Sequence, residues 1–582
     1  MTTAEADRPD SGSYRPAVVG REGMVSAGHY LAAVAGQRIL DRGGNAVDAG
    51  IAAALCLSVL ETDMVNLAGV APIMVHLAAS GETVTISGLG RWPRRASLDF
   101  YVDDLGGAIP FGVLRCVTPA AVDAWVTALG RFGTMSFAAV AADALRLAAE
   151  GFPMHPMMAA TLRRASPVYS QWPSTAAIFM PGGRVPEAGD LFVQRDLGGT
   201  IARLVEAEAG APAGDRVLGL AAVRDRFYEG DIAEEICSFN EAGGGFLRMD
   251  DMASFHVAVE RPVTARFGEY EIATCGPWSQ GPVLAQALTM LANDDLVALG
   301  HNSTAYVHLL TEILKLAFAD REEYYGDPEF VPVPIEALVS AGYGALRRSL
   351  VDDERAHPGM PPPGDPERLL AVGGASFVPP QHDGDSGSRD TTYVCVVDRQ
   401  GNVFSATPSD GCLEGPVTPG TGLGVSPRGA QSWARRDHAS SIAPGKRPRL
   451  TPNPAMLFRA GRPIMPIGTP GADVQCQAML QVLLNVVVFG MSPQSAVEAP
   501  RFASYSFPES FEPHSYVPGM LRVERSIGED VGEQLAAWGH TVEWWPDWAK
   551  LAGGVCTIGI DRARGTLTGA ADPRRMGYAI GW

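Results

Sequence analysis

Asp390-Thr391-Thr392 is the junction in this sequence where one side chain could carry covalent chemistry. A threonine hydroxyl in mid-chain is a poor nucleophile, and alone Thr391 reads as a strand-edge residue. Its setting changes that, because it separates a Pro-, Gly-, Asp- and Ser-rich stretch from a β-rich run. A cut before Thr391 would give it a free α-amine, ordinarily of pKa about 7.7–8.0, able to take the hydroxyl proton near neutral pH. Nucleophile and base would then sit on one residue. Other templates fail. Gly384-Asp385-Ser386-Gly387 copies the string around a trypsin-like nucleophile, but it lies in the least core-forming stretch of a chain rich in Ala-based helices, not in a β double barrel. Nucleophile-elbow, P-loop and strand-linked G-x-G-x-x-G patterns are absent. The cysteines form no C-x-x-C, the histidines no H-E-x-x-H, and His301 and His308 lie two helical turns apart, so neither a metal nor a cofactor is expected.

The elements that must position Thr391 follow from patterning. Between Asp352 and Asp390 the composition cannot build a core, which predicts a flexible linker over 352–390. Thr391 to Val397 and Val403 to Thr407 then read as a β-hairpin turning at Asp398 to Asn402. Upstream, Ala27 to Leu60 reads as two Ala-rich helices broken at Gly43-Gly44-Asn45, followed by short strands at Ile73 to Leu77 and Val84 to Ile86. Helices are expected from Ala120 to Gly151. Ser303 should cap an amphipathic helix with Tyr306, Leu309, Leu310, Ile313, Leu314 and Ala317 on its buried face. With 46 Lys plus Arg against 65 Asp plus Glu, the formal charge of −19 argues against nucleic acid as a partner. Ile51 to Leu60 and Met479 to Phe489, the longest apolar runs, fall short of the roughly 18–20 residues needed to cross a bilayer, so no membrane span is expected. Met1 to Tyr14 is polar and acidic, without the pattern of a secretory signal, which makes the cytoplasm the expected compartment.

A series of motifs in one order extends this reading. Gly43-Gly44-Asn45-Ala46-Val47-Asp48-Ala49 comes first, then Tyr228-Glu229-Gly230, Leu316-Ala317-Phe318-Ala319-Asp320-Arg321 and Gly326-Asp327-Pro328. Thr391-Thr392 through Asp398 to Gly401-Asn402, Lys446-Arg447-Pro448, Gly468-Thr469-Pro470-Gly471 and Asp572-Pro573-Arg574 complete it. In these motifs, over nearly its whole length, the sequence resembles the γ-glutamyltransferases, N-terminal-nucleophile enzymes that cut themselves into a large and a small subunit. The resemblance implies an α/β (α+β) fold, the four-layer αββα sandwich with two mainly antiparallel sheets. It implies a large-subunit segment 1–390 and a small-subunit segment 391–582 intertwined in one domain, with cleavage between Asp390 and Thr391. It makes Thr391 the nucleophile, places Gly471 and Ala472 at a two-glycine oxyanion hole, and gives Ser409 the place of a supporting threonine.

The substrate clamp departs from the pattern. Aligning on Pro93 puts Leu89 where the resemblance expects a carboxylate-binding arginine, leaving Arg91, Arg94 and Arg95 as substitutes. Ser409-Asp410-Gly411 replaces Thr-x-Asn, Gln431-Ser432-Trp433-Ala434 replaces Met-Asp-Asp-Phe, and Leu450 and Thr451 replace paired serines. Arg91, Asp410, Trp433, Thr451 and Asp473 are therefore the substrate-binding candidates, although Asp473 alone reads as an N-cap. Losing a charged clamp costs strong discrimination for a glutamyl group. The expected activity is that of an autoprocessing amide hydrolase or acyltransferase working through an acyl-enzyme on Thr391, on a small acyl amide other than a standard γ-glutamyl compound. A true γ-glutamyltransferase and a non-catalytic binding homologue are the alternatives. The sequence allows a homo-oligomer without specifying one.

Overall fold

Strand Val394–Asp398 sets the architecture, because it is buried on both faces and its residues alternate between two cores. Val394 and Val396 pack with the helices of the first half of the chain, while Tyr393, Cys395 and Val397 face a second sheet. A strand covered on both faces needs apolar residues at every position, which explains the continuous run Tyr393 to Val397. The computed structural model describes residues 13–212, 214–373 and 390–582. Residues 1–12 and the 374–389 part of the expected linker, including Gly384-Asp385-Ser386-Gly387, lie outside the described residues.

The sheet containing Val394–Asp398 has seven strands in the order Tyr578–Gly581, Gly23–Ala27, Val394–Asp398, Val403–Ala406, Ile73–His76, Thr83–Ile86 and Val259–Glu260. The second sheet also has seven, in the order Val18–Gly20, Thr566–Ala571, Cys556–Asp561, Arg462–Gly468, Ala455–Arg459, Tyr270–Thr274 and Val263–Phe267. Both are antiparallel throughout. Met24, Met74, Met456, Phe458 and Ile558 fill the space between them. Helices Tyr30–Asp41 and Ala46–Leu60 cover the outer face of the first sheet, and helices Gly281–Met290 and Val474–Val487 that of the second. The result is the expected four-layer αββα sandwich. Among the described residues no helix is long and apolar enough to cross a membrane.

Helix Ala46–Leu60 shows how the motif residues build the fold. Asn45 caps it, accepting from Val47 N and Asp48 N, while Asp48 accepts from Asn45 N at 2.9 Å. The Ala46 amide reaches Asp398 Oδ2 at 3.0 Å, and the same carboxylate closes the hairpin turn by accepting from Asn402 N and Nδ2. Two distant motifs thus share one acid. Helix Thr304–Tyr324 is capped by Ser303 as expected, but it is buried all round from Tyr306 to Glu322 rather than amphipathic. Its polar face is paid for by internal partners: Asp320 with Arg347, Tyr343 and Gln286, and Arg321 with Asp473 and Glu322.

Residues 352–373 are fastened to the body. His308 Nε2 meets Asp352 O, Ala356 N donates to Trp538 O, Met360 N donates to Tyr516 Oη and Gly364 N to Asp320 Oδ1. Arg347 Nη1 adds bonds to the carbonyls of Pro362 and Ala371.

Candidate active site

Thr391 lies three residues ahead of Val394–Asp398, bridged antiparallel to Ser409, which is itself bridged to Val70. The side chain is buried, with Oγ1 2.8 Å from Ser409 Oγ. Ser409 Oγ is also 3.1 Å from the Asp390 carbonyl oxygen. A serine has one proton to give, and a carbonyl can only accept it. Ser409 therefore donates to the Asp390 carbonyl and accepts from Thr391 and from Arg428 Nη2. The hydroxyl of Thr391 and the carbonyl just before it are held by the same serine.

Asp390 is fixed on its other side. Its Oδ2 meets Arg575 Nη1 at 2.5 Å and Lys550 Nζ at 3.1 Å, and its Oδ1 accepts from Thr391 N at 3.0 Å. Burial works to raise the Asp390 carboxyl, but Arg575 and then Lys550 outweigh it and hold it below its ordinary value. Behind this pair lie two more acids. Burial pushes Glu61 up to about 8, against a lowering contribution from its hydrogen bond to Thr392, and burial also raises Asp63. Gly28 is required for this closeness, since a Cβ there would stand 2.0 Å from Thr392 Oγ1 and 3.2 Å from Glu61 Oε2. Asp390, Lys550, Asp63, Asp410 and Arg428 form polar walls of a cavity of 430 Å³, with Phe111, Phe511 and Leu551 among its apolar ones.

The turn Gly468 to Asp473 joins strand Arg462–Gly468 to helix Val474–Val487. Gly468 lies under the Tyr393 ring, with no room for a side chain, since a Cβ would meet that ring at 2.2 Å. This seats the turn two residues from the start of the Thr391 strand. Gly471 has φ +123° and Ala472 φ +48°. Among the described residues neither of their amides donates to a protein acceptor. Gln280 Nε2 clamps the turn, donating to Ala472 O at 2.9 Å and Thr451 O at 3.0 Å. Asp473 does not cap the helix with its side chain. Its carboxylate takes Arg321 and both the amide and hydroxyl of Ser510.

Thr391, Ser409, Asp410 and Asp390 therefore converge, and Gly471, Ala472 and Thr451 adjoin one another through Gln280. The other sequence candidates are engaged elsewhere. Arg91 forks onto Glu329 at 2.7 and 3.0 Å, and Arg94 bonds Ser254. Trp433 stacks on His514 with ring centroids 3.6 Å apart, beside His438. Asp410 turns its carboxylate to Arg428 and Ser426, and burial outweighs Arg428 to leave it raised. Leu89 packs into an apolar cluster with Val70, Cys275, Trp278 and Leu450. Arg428, Lys550, Arg575 and Glu61 are the site residues that sequence reasoning missed. None belongs to a spacing that points at chemistry, and only the folded chain brings them to Asp390 and Ser409. His308, Glu312 and His540 also gather ligand atoms within 4.8 Å. Those atoms already bond one another, Lys315 and backbone groups.

Residues 32–582 match the family model described as Gamma-glutamyltranspeptidase. The Acylase ACY 1 proenzyme of Pseudomonas sp. (strain V22) is 33% identical over 574 residues, covering 96% of this chain and 94% of that protein. The Glutathione hydrolase proenzyme of Bacillus subtilis (strain 168) is 30% identical over 590 residues, covering 99% and 95%. The crystal structure of cephalosporin acylase from Bacillus halodurans superposes with a TM-score of 0.84 at 28% identity, covering 99% of this chain and 98% of that one.

Proposed function

The chain belongs to the gamma-glutamyltranspeptidase family of autoprocessing amide hydrolases and acyltransferases, and from that premise we propose that Thr391 is the nucleophile both of self-cleavage and of turnover, on a small acyl amide other than a standard γ-glutamyl compound. The observation that carries the assignment is the shared serine: Ser409 accepts from Thr391 Oγ1 and donates to the Asp390 carbonyl. That arrangement aligns the attacking oxygen and polarises the carbonyl it attacks.

In maturation, Thr391 Oγ bonds to the Asp390 carbonyl carbon as the C–N bond breaks, giving an ester and a free Thr391 amine. Water opens the ester, leaving Asp390 as a carboxyl end and Thr391 as an N-terminus. In turnover that amine takes the hydroxyl proton, Oγ bonds to the substrate carbonyl, and the protonated amine product leaves. Water or an acceptor amine then removes the acyl group. The amides of Gly471 and Ala472, which donate to no protein acceptor among the described residues, are suited to hold the oxyanion. The preference for an acyl group other than γ-glutamyl is supported by the apolar packing of Leu89 and the commitment of Arg91 to Glu329.

Denaturing intact-mass measurement on wild type beside Thr391→Ala tests the reading. Two fragments meeting between Asp390 and Thr391 are expected in wild type and a single chain in the variant. A wild type that stays whole after purification overturns it.

A further inference from the structure

We propose that Lys550 and Arg575 form a carboxylate receptor on the acyl side of Thr391, occupied by Asp390 in the uncut chain and by the carboxylate of an incoming acyl group afterwards. The inference rests on Thr391 as nucleophile but concerns what that nucleophile is offered. In the uncut chain Asp390 is the acyl group: its carbonyl is the one Thr391 faces, and its carboxylate is gripped by two cations converging on a single oxygen, at 2.5 and 3.1 Å. Asp390 is thus the first acyl product, and it must vacate the site before a second carbonyl can reach Oγ.

What it leaves behind is specific. The Arg575 side chain is 6% exposed and that of Lys550 24%, and Asp390 is the only acid paired with either among the described residues. Arg575 Nε is spent on the Lys550 carbonyl, which fixes the two cations relative to each other. Removing one carboxylate from a charge-assisted pair leaves two largely desolvated cations, a cost that another carboxylate of similar placement would relieve. Lys550 and Asp390 wall the 430 Å³ cavity, so an entering acyl group meets Lys550 there, and Arg575 is reached at the position of the Asp390 carboxylate oxygen that the two cations share. Asp390 places two carbons between its carbonyl and its carboxylate carbon. The acyl group with that separation is succinyl, and the substrate class is the monoamide of a short dicarboxylic acid. The competing way to compensate the cations is for Glu61 and Asp63, which face Arg575 and Lys550 respectively, to ionise in place of Asp390.

Two arms test this, and the first needs no turnover. The uncut chain carrying Thr391→Ala with Asp390→Gly lacks the internal carboxylate, and acetate is the fragment removed. At constant ionic strength, acetate should raise its melting temperature while acetamide does not, and adding Lys550→Met should abolish the rise. Equal melting in acetate and chloride overturns the receptor whatever Thr391 does. The second arm compares, on self-cleaved wild type, the 4-nitroanilides of succinic acid and of its monomethyl ester. Thr391 Oγ bonds to the acyl carbon, nitroaniline leaves with the proton, and water releases the acid in both cases. The acid should be favoured by at least about tenfold in kcat/KM, chiefly through KM, as expected when a buried ionic partner is lost. Lys550→Met should collapse that ratio even if both rates fall. A wild-type ratio near one, or a ratio untouched by Lys550→Met, overturns the proposal. Should Lys550→Met fail to mature, inhibition of wild-type ester turnover by succinate but not butyramide decides instead, and equal inhibition by both overturns it. If wild type stays uncut, the nucleophile reading fails and the acetate arm alone decides the receptor.

Discussion

Ala472 occupies the left-handed region at φ +48°, where an L-residue with a Cβ pays about 1–2 kcal/mol. Glycine would avoid that strain but lose some entropy on folding, so Ala472→Gly should stabilise the chain by about 0.5–1 kcal/mol, measured by denaturant unfolding of the uncut Thr391→Ala background. A loss of stability would show that the Ala472 methyl is needed for packing. Gly471, at φ +123°, has no such latitude, and Gly471→Ala should lower kcat by about a hundredfold if its amide serves the oxyanion. Glu61 gives a pH signature. Its pKa is raised by burial to about 8, above the unfolded value, so the native state binds the extra proton between about pH 4.5 and 8. Stability from this group is therefore lost as pH rises through that window, with a slope of at most about 1.4 kcal/mol per pH unit. Glu61→Gln should flatten the slope in chemical denaturation between pH 5 and 8, and an unchanged slope would assign it to another group. Thr391 drew attention locally, as a junction between a core-poor stretch and a strand, whereas Ser409 and the 471–472 turn became candidates only through the motif series, since alone each reads as an ordinary turn. Lys550, Arg575 and Glu61 were not legible, because a lone charged residue acquires a role only from the partner that folding brings to it.

At the scale of elements, the motifs that look catalytic in sequence are mostly fasteners. Arg447 forks onto Asp327, Arg501 pairs with Asp572, Arg574 with Glu524, and Arg321 with Asp473, all buried. Each joins segments far apart in the chain, and cutting one partner from such a pair leaves an uncompensated charge. This is why the Asp473 carboxylate is tied to Arg321 on the helix Thr304–Tyr324. It is also why that helix defeated a reading by periodicity, which assumes that a polar face means solvent. Helix Ala46–Leu60 was easier, since Gly43-Gly44-Asn45 marks its start and Ala-rich composition its interior. Its Gly50 has a second reason to be glycine, because a Cβ would stand 2.1 Å from the Phe404 ring. Gly50→Ala should therefore push the helix off the hairpin strand Val403–Ala406 and cost about 1–3 kcal/mol, outweighing alanine's better helix propensity. Thermal melting reads this directly, and an unchanged or raised midpoint would mean that Phe404 can turn aside without loss.

For the whole molecule, the position of the proposed cut before Thr391 relative to the sheets decides what self-cleavage can do. In the first sheet the strands Val394–Asp398 and Val403–Ala406, from beyond Thr391, sit between Gly23–Ala27 and Ile73–His76 from before it. In the second, four strands from beyond the cut are flanked by Val18–Gly20 on one side and Tyr270–Thr274 with Val263–Phe267 on the other. Neither segment retains an intact sheet without the other, and the layer between the sheets draws residues from both. Separating them would expose both cores, so the cut halves should behave as one particle. Native mass measurement of cleaved wild type should give one species containing both segments, resolved into two only by denaturant. Refolding should then diverge. The uncut Thr391→Ala chain closes its sheets within one molecule, whereas the cleaved halves must first find each other, at a cost set by their concentration. Recovery of folded protein after dilution from denaturant should be independent of concentration for the variant and rise with concentration for cleaved wild type. Equal recovery at all dilutions would mean that one segment holds a stable fold by itself, contrary to the interleaving of the strands.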